Sequence, residues 1–162
     1  MSLKNNKYKI LFVCLGNICR SPSAHGIMEG LVQQNGLTDK IEIDSAGTYG
    51  GHAGELPDSR MRAHAAKRGY KLTHRSRQVQ TSDFEEFDLI IAMDDRNFAN
   101  LKSLAPDLEA EAKIVRMMDF SDNIAYDHVP DPYYSGADGF ELVLDLLEDA
   151  CGNLLQNVRQ SL

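Results

Sequence analysis

Cys14 and Arg20 are separated by five residues, "LGNIC", and followed directly by Ser21 and Pro22. A thiol, a guanidinium and a hydroxyl set around a glycine and an asparagine form a group able to hold an oxyanion and attack it. Gly16 lets the chain curl tightly, and Asn17 is among the few non-glycine residues that tolerate left-handed dihedrals. A turn entering a helix leaves several main-chain N–H groups without intrahelical acceptors, and with the helix dipole these favour an anion. Arg20 adds a planar fork that takes two phosphate oxygens at once. Cys14 would point its sulfur into that ring of donors. Helix N-termini and nearby cations favour thiolate, the form of cysteine that attacks. Nucleophilic displacement at phosphorus is the chemistry expected.

A second group lies far along the chain, at Asp131-Pro132-Tyr133-Tyr134. A poor leaving group on phosphorus departs more readily once protonated, and a late loop that can fold over the pocket is a sensible place for the acid. The cradle itself carries positive charge, so neither a metal nor a cofactor is expected. The bland reading of Asp131 is a turn, since Asp-Pro is a common turn pair.

The elements needed to position these groups are visible in the hydrophobic pattern. Residues 8–14, "YKILFVC", read as a central strand. In the segment that follows, Ala24, Ile27, Met28, Leu31 and Val32 repeat at helical spacing, with Pro22 in the first turn and Gly36 as a stop. Strands are expected at 40–47, 87–93 and 112–117, and helices at 58–70 and after Asp94, which is placed to cap. Ser82 and Glu85 suggest a capping box. Residues 121–136 read as a long loop, and Phe140, Val143, Leu144, Leu147, Cys151, Leu154, Leu155 and Val158 mark a closing amphipathic helix. Strands alternating with helices imply an α/β parallel sheet covered on both faces, with ligands beyond the carboxyl ends of its strands. The quoted turn lies at one such end, and one domain spanning 1–162 is expected.

Cys14-Leu-Gly-Asn-Ile-Cys-Arg20-Ser21 matches the C-x5-R-[ST] signature of protein tyrosine phosphatases. With "DPYY", "DSAGT" and "MDD" in this order, the sequence resembles the low-molecular-weight protein tyrosine phosphatase family over nearly its whole length. The resemblance implies a four-stranded parallel sheet of order 2-1-3-4 in three layers. It also implies phosphotyrosine or a small aryl phosphate as substrate, and a phosphocysteine intermediate. Cys14 would be the nucleophile, Arg20 with the amides of Leu15, Gly16, Asn17, Ile18 and Cys19 the phosphate ligands, and Asp131 the general acid and base. By the same resemblance Ser21 assists the leaving sulfur, Asn17 and His74 pair behind the turn, and Leu15, Tyr133 and Tyr134 grip the ring. Cys19 would protect Cys14 through a reversible disulfide. Many relatives carry a tryptophan after "SAGT", whereas here Gly51 falls at that position, Tyr49 stands two residues earlier, and the chain has no tryptophan. Either Tyr49 fills that wall or it is open.

The remaining features set limits. Of 162 residues 43% are hydrophobic, enough for a substantial core, and 17 basic against 24 acidic side chains leave a charge of -7. That balance argues against nucleic-acid and anionic-membrane partners. The apolar run "ILFVCL" is too short for a membrane span or a signal-peptide core. Three cysteines do not suggest a disulfide framework, so a reduced, cytoplasmic protein is expected. A monomer or weak homodimer is the expected assembly. Cys14 as an inert core cysteine is the bland alternative, as is packing for Cys19 and Cys151, a surface position for His74 and helix capping for Asp94. His25, His52, His64 and His128 show no metal-ligand spacing with the cysteines. Two other reactions use a related turn. Arsenate reduction needs a downstream cysteine pair, and only Cys151 follows Cys19. Phosphoarginine phosphatases of the family place threonine where Ile18 stands.

Overall fold

The computed structural model describes residues 6–162; the first five residues of the N-terminal stretch lie outside it. Along the chain run β1 (Tyr8–Cys14), α1 (Arg20–Gln34), β2 (Ile41–Gly47), α2 (Ser59–Lys67), α3 (Asp83–Glu86), β3 (Leu89–Ala92), α4 (Asp95–Leu104), α5 (Leu108–Glu111), β4 (Ile114–Arg116) and α6 (Ala137–Arg159). From Ile10 to Cys14 every residue of β1 is buried, which suits a strand covered on both faces. It pairs in parallel with β2 and β3, and β4 adds to β3, giving the expected order β2-β1-β3-β4.

Alternation along β1 divides the interior in two. Ile10, Phe12 and Cys14 join a core with Ala24, Ile27 and Met28 of α1 and the apolar stripe of α6. Leu11 and Val13 face the other way, against Phe84, Leu101 and Ala110 of α3, α4 and α5. Each large apolar side chain fully buried in these layers contributes about 1.5–3 kcal/mol. Among the described residues no helix is long and apolar enough to cross a membrane.

Three local expectations need correction. Ser82 already has helical dihedrals and forms no side-chain cap, so there is no capping box. The carboxylate of Asp83 instead accepts the Gln80 N–H at 2.7 Å and turns the chain there. One-turn helix α5, capped by Asp107 through the Ala110 N–H (2.8 Å), and a 3-10 helix at Met117–Phe120 were not foreseen. Elements of four residues are too short to establish a period. Strands β3 and β4 are also shorter than expected, although the flanking Asp88 and Met93 N–H groups still donate to the Lys9 and Val13 carbonyls of β1. Residues 121–136 contain no helix or strand, as expected.

Candidate active site

A cavity of about 280 Å3 opens beyond the carboxyl ends of the strands. The turn after β1 contributes Cys14, Leu15, Gly16, Ile18, Cys19 and Arg20 to its lining, the late loop Asp131, Tyr133 and Tyr134, and the segment after β2 Tyr49 and His52.

Strand β1 ends at Cys14, whose Sγ lies 3.1 Å from Ser21 Oγ and accepts the Ser21 main-chain N–H at 3.4 Å. Asn17 is the one non-glycine residue among those described with a positive φ, 58°. Its side chain locks the turn: Nδ2 donates to Ser21 Oγ (2.7 Å), and Oδ1 accepts the Arg77 N–H (3.1 Å). Ser76 Oγ donates to the Gly16 carbonyl at 2.9 Å. Gly47 lies so close beneath that a β-carbon there would stand 2.6 Å from the Leu15 oxygen. Among the described residues, the main-chain N–H groups of Leu15 to Cys19 have no protein acceptor. Unengaged donors beside a sulfur make an oxyanion site.

Asn17→Ala removes both side-chain bonds and leaves a β-substituted residue in the left-handed region without local support. A loss of about 2 kcal/mol is expected, equivalent to a fall in Tm of about 4–8 °C in a chain of this length, together with weaker phosphate binding. A thermal melt of the variant with and without phosphate checks both effects; an unchanged Tm would refute them.

Arg20 is only 3% exposed. Its Nη1 donates to Asp94 Oδ2 (2.7 Å) and to the Val129 carbonyl (3.0 Å), and Nη2 lies 3.8 Å from Asp131 Oδ2. Burial opposes the guanidinium charge, but the field of Cys14 and the hydrogen bond and charge of Asp94 outweigh it, and the pKa of Arg20 is raised. Asp94 caps as expected and does more: Oδ1 caps α4 through the Asn97 N–H (2.8 Å) while Oδ2 holds Arg20.

Asp131 is half-exposed at the mouth, and its Oδ1 accepts the Tyr133 N–H at 3.1 Å. The turn reading therefore holds, and the turn fixes the carboxyl at the mouth of the cavity. Tyr133 and Tyr134 meet edge to face, with centroids 4.9 Å apart. A strut that the sequence did not disclose supports this loop. The Asp58 N–H donates to the Ile18 carbonyl (2.8 Å), its carboxylate holds Arg60 through two bonds, and Arg60 Nη2 donates to the Tyr133 carbonyl (3.0 Å). The Arg60 guanidinium also lies over the Tyr133 ring, 5.3 Å from its centroid.

The wall that lacks tryptophan is filled by Tyr49. Its ring folds back over Gly51, where any β-carbon would collide with it, and meets His52 edge-on at 6.0 Å. His52 is a lining residue that sequence reading left without a role. His74 departs from expectation, because Asn17 bonds to Ser21 and Arg77 rather than to it. Its Nδ1 lies 3.6 Å from Asp44, and its ring packs against His25. Cys19 is buried behind the turn, and that burial pushes its thiol pKa up. Cys151 is completely buried on α6 and far from acting as a relay thiol, with its pKa likewise raised by burial.

Residues 9–162 match the model of the low molecular weight phosphotyrosine protein phosphatases. The chain belongs to this family. A Streptomyces coelicolor low molecular weight protein-tyrosine-phosphatase is 43% identical over 155 residues, covering 94% of each chain. The crystal structure of a protein tyrosine phosphatase from Entamoeba histolytica with Hepes in its active site superposes with a TM-score of 0.93 at 47% identity, over 96% of this chain and 99% of that one. A crystal structure described as Drosophila arginine phosphatase also superposes, with a TM-score of 0.87 at 31% identity, over 93% of this chain and 97% of that one. The matched span of the family model contains every cavity residue named above.

Proposed function

We propose that this phosphatase hydrolyses phosphotyrosine in proteins, and small aryl phosphates, through a phosphocysteine on Cys14. The observation that carries this reading is one cavity lined together by a cysteine sulfur, a buried arginine, a ring of unengaged N–H groups and an aspartate at the mouth.

In the first step Cys14 Sγ forms a bond to phosphorus as the bond to the phenolic oxygen breaks, and Asp131 gives its proton to that oxygen. Arg20 and the amides of Leu15 to Cys19 hold the equatorial oxygens, so the charge of the transition state meets donors already in place. In the second step water attacks phosphorus, Asp131 accepts its proton, and the sulfur departs as thiolate with inorganic phosphate released. Ser21 Oγ accepts from Asn17, and its own hydrogen, which the Ala46 carbonyl accepts at 3.4 Å, can turn to the departing sulfur 3.1 Å away. Cys19, kept a thiol by burial, is unsuited to attack, which supports Cys14 as the nucleophile. Tyr49, Tyr133 and Ile18 supply apolar walls for an aryl group, which favours phosphotyrosine over phosphoarginine. All three cysteines are free, which fits a reducing, cytoplasmic setting.

Purified, reduced protein should hydrolyse para-nitrophenyl phosphate at full rate in the presence of a metal chelator, and orthovanadate should inhibit it. Phosphotyrosine peptides should be turned over far faster than phosphoarginine or phosphoserine peptides. A folded protein inactive on aryl phosphates would overturn the proposal.

A further inference from the structure

We propose that His25, Asp44 and His74 form a site for a divalent cation of zinc-like preference, behind the phosphate-binding turn and separate from the Cys14 cavity. Each residue offers one ligand atom, and these atoms all lie within 4.8 Å of one another. They come from α1, from β2 and from the segment that precedes Ser76, so no spacing in the sequence reveals the group. Two imidazoles and a carboxylate are the three-ligand donor set of open zinc sites, whereas calcium and magnesium take oxygen donors.

Several independent features fit an ion here. The Nε2 atom of His74 is buried with no hydrogen-bond partner, which is uncommon for a polar atom in a folded protein. The two rings lie 4.9 Å apart, close enough to share one ion. His25 already bonds to Ser45 Oγ (2.9 Å) through Nδ1 and to Glu29 (3.2 Å) through Nε2. Whichever ring nitrogen ligates, the other keeps a partner that orients it. Arg77 holds Asp44 Oδ2 at 3.1 Å, while Oδ1 stands 3.6 Å from His74 Nδ1. A cavity of about 180 Å3 reaches His25 and His74, with Glu29 and Lys71 also in its lining and Asp44 behind it.

The location gives such an ion a consequence. The two residues after Arg75 hold the turn through Gly16 and Asn17, and His74 stands at the head of that segment. A bound cation would tie this segment to α1 and raise the stability of the loaded protein.

Calorimetric titration of the chelator-stripped full chain with Zn2+ tests the site, alongside the variants His25→Ala, Asp44→Asn and Cys14→Ser. The wild type and Cys14→Ser should each bind one equivalent, and His25→Ala and Asp44→Asn should bind at least about tenfold more weakly. The Zn2+-dependent rise in Tm should vanish in parallel. Circular dichroism verifies the fold of each variant, and Asp44→Asn decides the matter if His25→Ala does not fold. Equal affinity in wild type and the site variants, loss of binding in Cys14→Ser alone, or no binding by the wild type would each overturn the proposal.

Discussion

Replacing Cys14 by Ser should lower turnover of phosphotyrosine by roughly 10^4-fold or more, the scale on which removal of a covalent nucleophile acts. A serine hydroxyl is far less ionised than a thiol, and neither Ser21 nor the turn supplies a base to take its proton. The binding machinery does not depend on the sulfur. The N–H groups of Leu15 to Cys19 and the Arg20 fork, anchored by Asp94 and Val129, stay in place, so inorganic phosphate should still bind. Steady-state assay with a phosphotyrosine peptide and calorimetric titration with phosphate measure the two properties separately. Turnover within about tenfold of wild type would remove Cys14 as nucleophile, and joint loss of turnover and phosphate binding would show instead that the turn had collapsed.

The second large effect is expected at Asp131. Its carboxyl is fixed over the cavity by the Tyr133 N–H, at the mouth where the leaving oxygen would emerge. General acid catalysis contributes about 10^2–10^4-fold, and most where the leaving group most needs a proton. Asp131→Ala should therefore slow phosphotyrosine hydrolysis by roughly that factor. For para-nitrophenyl phosphate, whose phenolate departs more readily, the loss should be distinctly smaller. Rates across a series of phenols of graded acidity should show a steeper dependence on the leaving group in the variant. Parallel lines for variant and wild type would rule out proton donation. Arg60→Ala, which frees the strut under Tyr133, would be expected to raise KM more than it lowers kcat.

Much of this site was legible because its signals are local. "YKILFVC" must be a buried central strand, "LGNIC" must turn, and Arg20 must open a helix, so thiol, donors and guanidinium meet within eight residues. The left-handed Asn17 is likewise a property of its own short side chain and was foreseen. The capping box at Ser82 failed for a related reason: the pattern was present, but Asp83 offered the better acceptor for the same stretch of chain. The His74 contact failed because its distance from Asn17 depends on how a long irregular segment crosses the sheet edge, which no periodicity encodes.

The sequence by itself determined the family, the central strand and the order in which the main elements follow, since these depend on residue type, turn propensity and hydrophobic period over a few neighbours. Only the tertiary structure decided how the parts are held. Arg20 is aimed by Asp94 and by Val129, 74 and 109 residues away. The Asp131 loop rests on Arg60, Tyr49 fills the wall over Gly51, and His25, Asp44 and His74 converge from three elements. Contacts of that kind arise when packed layers bring distant segments within reach, and their geometry is fixed by the whole core rather than by any short stretch of chain.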